Sequence, residues 1–188
     1  MKLDNKKKDK KKIYVLLTRF PDNGSKWIQA LTGSFYTHAS VGLEEDMNSF
    51  YSFKVKGFTV EDIHRYVRKP GREPFPCQVY ELEVSEKVYQ SAKRIINYYI
   101  RRKEEMSYTR FGLVMRLLRI PVKRKDKFIC SQFVAHVLKR AKAANLKKFT
   151  VLYLPGDFRK LSEMKLVFEG NLQSFITYFG IEPRPCLA

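Results

Sequence analysis

The chain has 188 residues, 44% hydrophobic and 14% aromatic, enough to bury a core in about one domain and too apolar for disorder throughout. Lys and Arg number 37 against 19 Asp and Glu, a net charge of +18. Three cysteines without a C-x-x-C pair exclude a zinc knuckle, a redox pair and a disulfide framework, and no apolar run approaches the roughly 20 residues of a spanning helix.

Residues 1–12, with seven lysines and two aspartates, are a like-charge run expected to form a disordered lysine-rich tail. Residues 13–188 are then expected to form a single domain. The lysines resemble the start of an export signal, but Ile13-Tyr14-Val15-Leu16-Leu17 is too short for its apolar core and soon meets Arg19. A soluble, reduced, cytoplasmic protein is expected. Ile13–Phe20 reads as a strand, and Pro21-Asp22-Asn23-Gly24 as a turn. A short helix follows through Trp27, Ile28 and Leu31, closed by Gly33. Phe35–Leu43 and Ser49–Val55 read as the two arms of a hairpin around Glu44–Asn48. Residues 57–66 fit neither period, and 69–76 form a proline-rich loop.

Gln78–Val84 alternates as a strand. Ser85 then opens a helix to about residue 105, with Val88, Ala92, Ile95, Ile96, Tyr99 and Ile100 on one stripe. A helical stretch at 111–118 precedes a basic loop, Lys123–Lys127. In residues 128–141 the apolar positions Cys130, Phe133, Val134, Val137, Leu138 and Ala141 predict a helix with Cys130 in its first turn. A turn at Pro155-Gly156-Asp157 and a strand around 165–168 complete the chain. The second charge cluster lies in this half: residues 101–148 hold 15 basic residues against three acids.

Cys130 stands out on physical grounds. A thiol in the first turn of a helix meets unpaired N–H groups and the positive pole of the dipole, and both favour the thiolate. Those N–H groups also suit a developing oxyanion on an acyl substrate. Inert packing is the alternative, since Cys130 sits on the apolar stripe. A cysteine nucleophile needs a base, usually histidine. His136 lies about 240° around the same helix and cannot reach it; a surface or partly packed role is expected. His64 sits among charged residues in the unassigned segment, where exposure is expected. His38 opens a strand, where a rigid sheet can present it.

Three segments together resemble a known family: Thr37-His38-Ala39-Ser40-Val41-Gly42-Leu43, then Asn48-Ser49-Phe50-Tyr51-Ser52-Phe53, then Phe128-Ile129-Cys130-Ser131-Gln132-Phe133-Val134. With Leu154-Pro155-Gly156-Asp157 downstream, they are similar to the permuted NlpC-type papain-like cysteine peptidases and amidases, in which the histidine strand precedes the cysteine helix. The resemblance implies an α+β fold, a circularly permuted papain-like antiparallel sheet packed against helices. It implies Cys130 as nucleophile, His38 as base and acid, and the Cys130 N–H in an oxyanion hole. A third polar residue orients the histidine in such families. Pairing across the hairpin makes Ser52 the first candidate here, with Tyr51 and Glu61 as alternatives.

This reading requires no cofactor and no metal. The expected substrate is a small amide or peptide, or an acyl lipid, and the basic cluster favours an anionic one. The lecithin retinol acyltransferase-like lipid enzymes belong to the same group, but Ile129-Cys130-Ser131-Gln132-Phe133 differs from their usual Asn-Cys-Glu-His-Phe. An inactive member of the group is a further alternative. So is a non-catalytic basic module binding nucleic acid or an anionic lipid surface: Tyr98, Tyr99, Tyr108 and Phe111 alternate with Arg101, Arg102 and Arg110, although no nucleic-acid motif is present. Cys77 and Cys186 lack a candidate base.

Overall fold

The first apolar run forms an interior strand of a sheet. The computed structural model describes residues 10–21, 25–26, 29–30, 33–54, 57–67, 75–105 and 129–184. Strand β1 (Lys10–Thr18) pairs antiparallel with β2 (His38–Leu43) on one side and with β5 (Pro76–Ser85) on the other. Strands β3 (Asp46–Lys54), β4 (Gly57–Asp62) and β6 (Lys165–Asn171) complete a six-stranded sheet in the order β4-β3-β2-β1-β5-β6. Every pairing is antiparallel.

Strand β1 starts at Lys10, three residues earlier than expected, which corrects the assignment of Lys10, Lys11 and Lys12 to a disordered tail. Their backbones pair with Ser85, Val84 and Glu83. Their ammonium groups meet Glu83, Glu44 and Glu81 at 2.6, 3.0 and 3.0 Å. Carboxylates on the neighbouring strand and turn thus relieve the repulsion along the run.

The period-2 alternation of β1 separates two apolar layers. Ile13, Val15 and Leu17 share one face with Val41 and Leu82. Helix α1 (His64–Val67) is a single turn, and α2 (Glu86–Arg101) and α3 (Cys130–Ala141) supply the first layer. Tyr89, Ala92, Ile96 and Tyr99 of α2 and Phe133, Val134, Val137 and Leu138 of α3 cover this face. The helical spacing of both stripes was legible in the sequence. On the other face Tyr14, Leu16, Phe50 and Val79 pack against Leu172, Phe175 and Ile176 of a final helix, α4 (Leu172–Tyr178). Asn171 caps it, accepting from the Ser174 N–H at 2.9 Å. The architecture is α+β, as expected.

The hairpin that carries His38 is tighter than the expected Glu44–Asn48 turn: only Glu44 and Glu45 lie between β2 and β3. The register slips after Gly42, which pairs with Phe50, whereas Leu43 pairs with Asp46. The Phe50 ring lies over Gly42, 2.7 Å from where a Cβ would stand. The unassigned segment 57–66 supplies β4 and most of α1. Gly33, with φ +63° and its N–H on the Gln29 carbonyl at 2.8 Å, follows a helical turn as predicted. The expected helix at 111–118 and the basic loop at 123–127 lie outside the described residues.

Candidate active site

His38 is the first residue of β2, at the end of the sheet, where Thr18 is its partner on β1. Cys130 is the first residue of α3. Ile129 before it has extended backbone and, among the described residues, no side chain caps the helix and no acid lies in its first turn. The first-turn N–H groups and the positive dipole end therefore stand beside the thiol. Ser131, fully buried, donates from Oγ to the Tyr153 carbonyl at 2.7 Å. That bond ties the start of α3 to the turn before Pro155, where Asp157 accepts the Leu154 N–H at 2.9 Å.

These elements bring Cys130 and His38 together: the two side chains share a hydrogen bond. The other side of the imidazole faces a carboxylate. His38 Nε2 lies 2.7 Å from Glu61 Oε1, which leaves Nδ1 as the nitrogen for the thiol. Glu61 belongs to β4, two strands from β2, and reaches His38 diagonally across β3. Ser52 of β3 donates to the same Oε1. The second oxygen, Oε2, accepts from the Tyr66 hydroxyl at 2.7 Å and lies 2.9 Å from Lys54 Nζ.

Lys54 is itself enclosed. Its ammonium also bonds the Tyr66 hydroxyl and lies 4.9 and 4.5 Å from the ring centroids of Phe20 and Tyr66. The Phe20 ring is 5.2 Å from His38, so one side of the imidazole is walled by an aromatic. His38 and Glu61 are both buried, at 7% and 3% exposure, which makes their pairing strong and its disruption costly.

The electrostatics follow from this geometry. Burial alone would lower the His38 pKa, but the charges of Glu61 and Cys130, with hydrogen bonds to both, raise it from 6.5 to about 9. Burial would raise Glu61, but His38, Lys54 and Ser52 together hold it well below the usual carboxylate range. Burial also raises Tyr66, which stays a phenol and donates to Glu61.

Of the three residues considered for orienting His38, the alternative Glu61 occupies the place, and the first candidate, Ser52, bonds to Glu61 instead. The hairpin register that favoured Ser52 covers only β2 and β3, whereas the carboxylate comes from the third strand of the meander. Tyr51 lies on the opposite face, stacked with Phe58 at a centroid distance of 6.5 Å. Lys54 and Tyr66 were not anticipated. A lysine and a tyrosine flanking a strand acid were the available signal, but without β4 they could not be placed.

The remaining candidates separate cleanly. His136 is half-buried, with its ring 6.0 Å from that of Tyr99. His64 is buried, not exposed, on a helical turn that packs against α4. Cys77 is fully buried in β5, and burial pushes its thiol up to about 12. Cys186 lies outside the described residues, as do Tyr108 and Phe111. Of the aromatic pair on α2, Tyr99 is in the core and Tyr98 is exposed.

Among the described residues no group of three or more His, Cys, Asp or Glu side chains is placed to hold a metal ion. No helix among them is long and apolar enough to cross a membrane. No protein-family model matches the chain, and a search of curated proteins gives no match.

Proposed function

We propose that the protein is a cysteine hydrolase that cleaves an amide or ester bond through a thioester on Cys130, on the permuted papain-like plan that its histidine-first order resembles. The observation that carries this reading is the placement of His38 between the Cys130 thiol and the buried Glu61 carboxylate. Nucleophile, base and orienting acid then stand in a hydrogen-bonded row.

In the resting pair Cys130 carries the negative charge and His38 the proton. Sγ attacks the carbonyl carbon, and the electron pair displaced onto oxygen is held by the first-turn N–H groups of α3, that of Cys130 among them. Collapse of this intermediate breaks the bond to the amine or alcohol, which leaves with the proton from His38 Nδ1. Neutral His38 then takes a proton from water as its oxygen attacks the thioester. The carboxylic acid departs, and Cys130 and His38 return to their paired charges. Glu61 stays ionised throughout, accepting the Nε2–H and fixing the ring.

The acyl donor is a small amide, a peptide or an acyl lipid, and the positive charge of residues 101–148 favours an anionic one. An acyl transfer uses the same thioester with an acceptor other than water. A cytoplasmic, reducing setting keeps Cys130 competent. The test is acylation with p-nitrophenyl acetate, read as a burst of p-nitrophenolate and as an acetyl group on the Cys130 peptide. The burst is expected in the wild type, absent in Cys130→Ala, and slowed about 100-fold or more in His38→Ala. Acetylation confined to surface lysines, with no burst, would overturn the proposal.

A further inference from the structure

Away from Cys130, α2 and α3 form an open groove of about 430 Å³ whose lining includes Ser91, Arg94, Tyr98 and Tyr99 of α2 and His136 and Arg140 of α3. Among the described residues no carboxylate lines it. The groove lies about 9–15 Å along α3 from Cys130, at 1.5 Å per residue.

Its charges are unbalanced in a way the neighbouring surface is not. Lys93, next to Arg94, pairs with Glu45 at 2.8 Å, and the lysines of β1 all meet carboxylates. Among the described residues neither Arg94 nor Arg140 has a carboxylate within ion-pair distance. Like charges converging on one groove are unfavourable in the free protein and become favourable around an anion. His136 registers the effect: burial and the charge of Arg140 hold its pKa below the ordinary value.

We infer that this groove binds a phosphomonoester group, with Arg94 and Arg140 as its charged ligands and His136, Ser91 and Tyr98 as further donors. Guanidinium forks match phosphate oxygens in pairs, and a phosphomonoester near pH 7 carries about −1.5 to −2 charge, enough to balance both arginines. The volume suits one phosphate with a small substituent, either a free metabolite or a lipid headgroup. The site is independent of whether Cys130 is a nucleophile.

The test uses the full chain and follows the His136 ring by NMR during titration with inorganic phosphate at constant ionic strength. Among the described residues His136 is faced by Arg140 on its own helix and by Arg94, Tyr98 and Tyr99 from α2, and a phosphate bound between the arginines adds negative charge beside the ring, which raises its pKa. A saturable shift is expected, with affinity at least about 10-fold weaker in Arg94→Gln and in Arg140→Gln, and unchanged in Lys139→Gln. Circular dichroism checks that the variants are folded. Glycerol 3-phosphate and phosphatidylcholine vesicles with and without phosphatidic acid separate the two sources: binding of the first assigns a free phosphomonoester, and arginine-dependent binding of phosphatidic acid vesicles assigns a headgroup. A response equal to that of chloride, or equal weakening by Lys139→Gln, would overturn the site. So would arginine-dependent binding of a DNA oligonucleotide without any binding of phosphate, which would make the face a nucleic-acid surface.

Discussion

Glu61 reaches His38 from a strand that does not neighbour it, its carboxylate oxygen 2.7 Å from Nε2 across the width of β3. Ser52 lies beneath that crossing and donates to the same oxygen. A small hydroxyl residue there gives the carboxylate both room and a hydrogen bond.

Glu61→Gln keeps the shape and removes the charge. The buried His38 and the half-buried Lys54 then lose their common counter-ion, and His38 loses the main influence holding its pKa up. Stability should fall by about 3–5 kcal/mol, the usual effect of breaking a buried pair. The His38 ring, followed by NMR, should titrate well below its wild-type value.

Two substitutions at Ser52 separate its hydrogen bond from its size. Ser52→Ala removes one donor from a buried carboxylate and should destabilise by about 1–3 kcal/mol while leaving Glu61 on His38. Ser52→Val fills the crossing with methyl groups, so esterase activity should fall much further than in Ser52→Ala. Denaturant melts and rates on one ester substrate measure both effects.

Lys54 divides the charge of Glu61 with His38. In Lys54→Met the carboxylate keeps its bonds from Ser52 and Tyr66 but loses the lysine charge, and the pKa of His38 should rise above its wild-type value of about 9. The alkaline limb of the pH–rate profile should move up with it. A merely structural lysine would lower activity at every pH without moving that limb.

The pair also sets a pH window for stability. The folded state raises His38 from 6.5 to about 9, so its contribution is complete below pH 6.5 and disappears as the pH rises through 9. Glu61 is lowered, so its contribution is present above the ordinary carboxylate value of 4.5 and disappears as the pH falls below it. Thermal melts should show this contribution at its greatest between those two ordinary values. Both flanks should flatten in Glu61→Gln.

The apolar periods of residues 13–20, 78–84, 85–105 and 128–141 were enough to place two central strands and both helices that cover them, with ends that the structure trims to Thr18, Arg101 and Cys130. Cys130 at the start of α3 followed from the i, i+3, i+4 spacing. Glu61 could not be placed the same way. Gly57–Asp62 is six residues with polar and apolar positions mixed, because it is an edge strand whose inward acid serves a site. Helix α4 was missed for a related reason: Leu172–Tyr178 is short, with aromatic and β-branched residues that suit a strand as well. Only its packing onto Phe50 and Val79 decides the matter.

The most direct test of the account is the pH dependence of iodoacetamide alkylation at Cys130, read by peptide mass spectrometry in the wild type and in His38→Ala. A free thiol titrates near 8.5, and an activated one in the range of about 3.5–7.5. Buried Cys77, with its thiol pushed up to about 12, is the internal control. Cys130 should react rapidly below pH 7, lose that reactivity in His38→Ala, and leave Cys77 unmodified. Alkylation of Cys130 no faster than that of a free thiol, and indifferent to His38, would contradict the nucleophile assignment and leave Cys130 a structural cysteine.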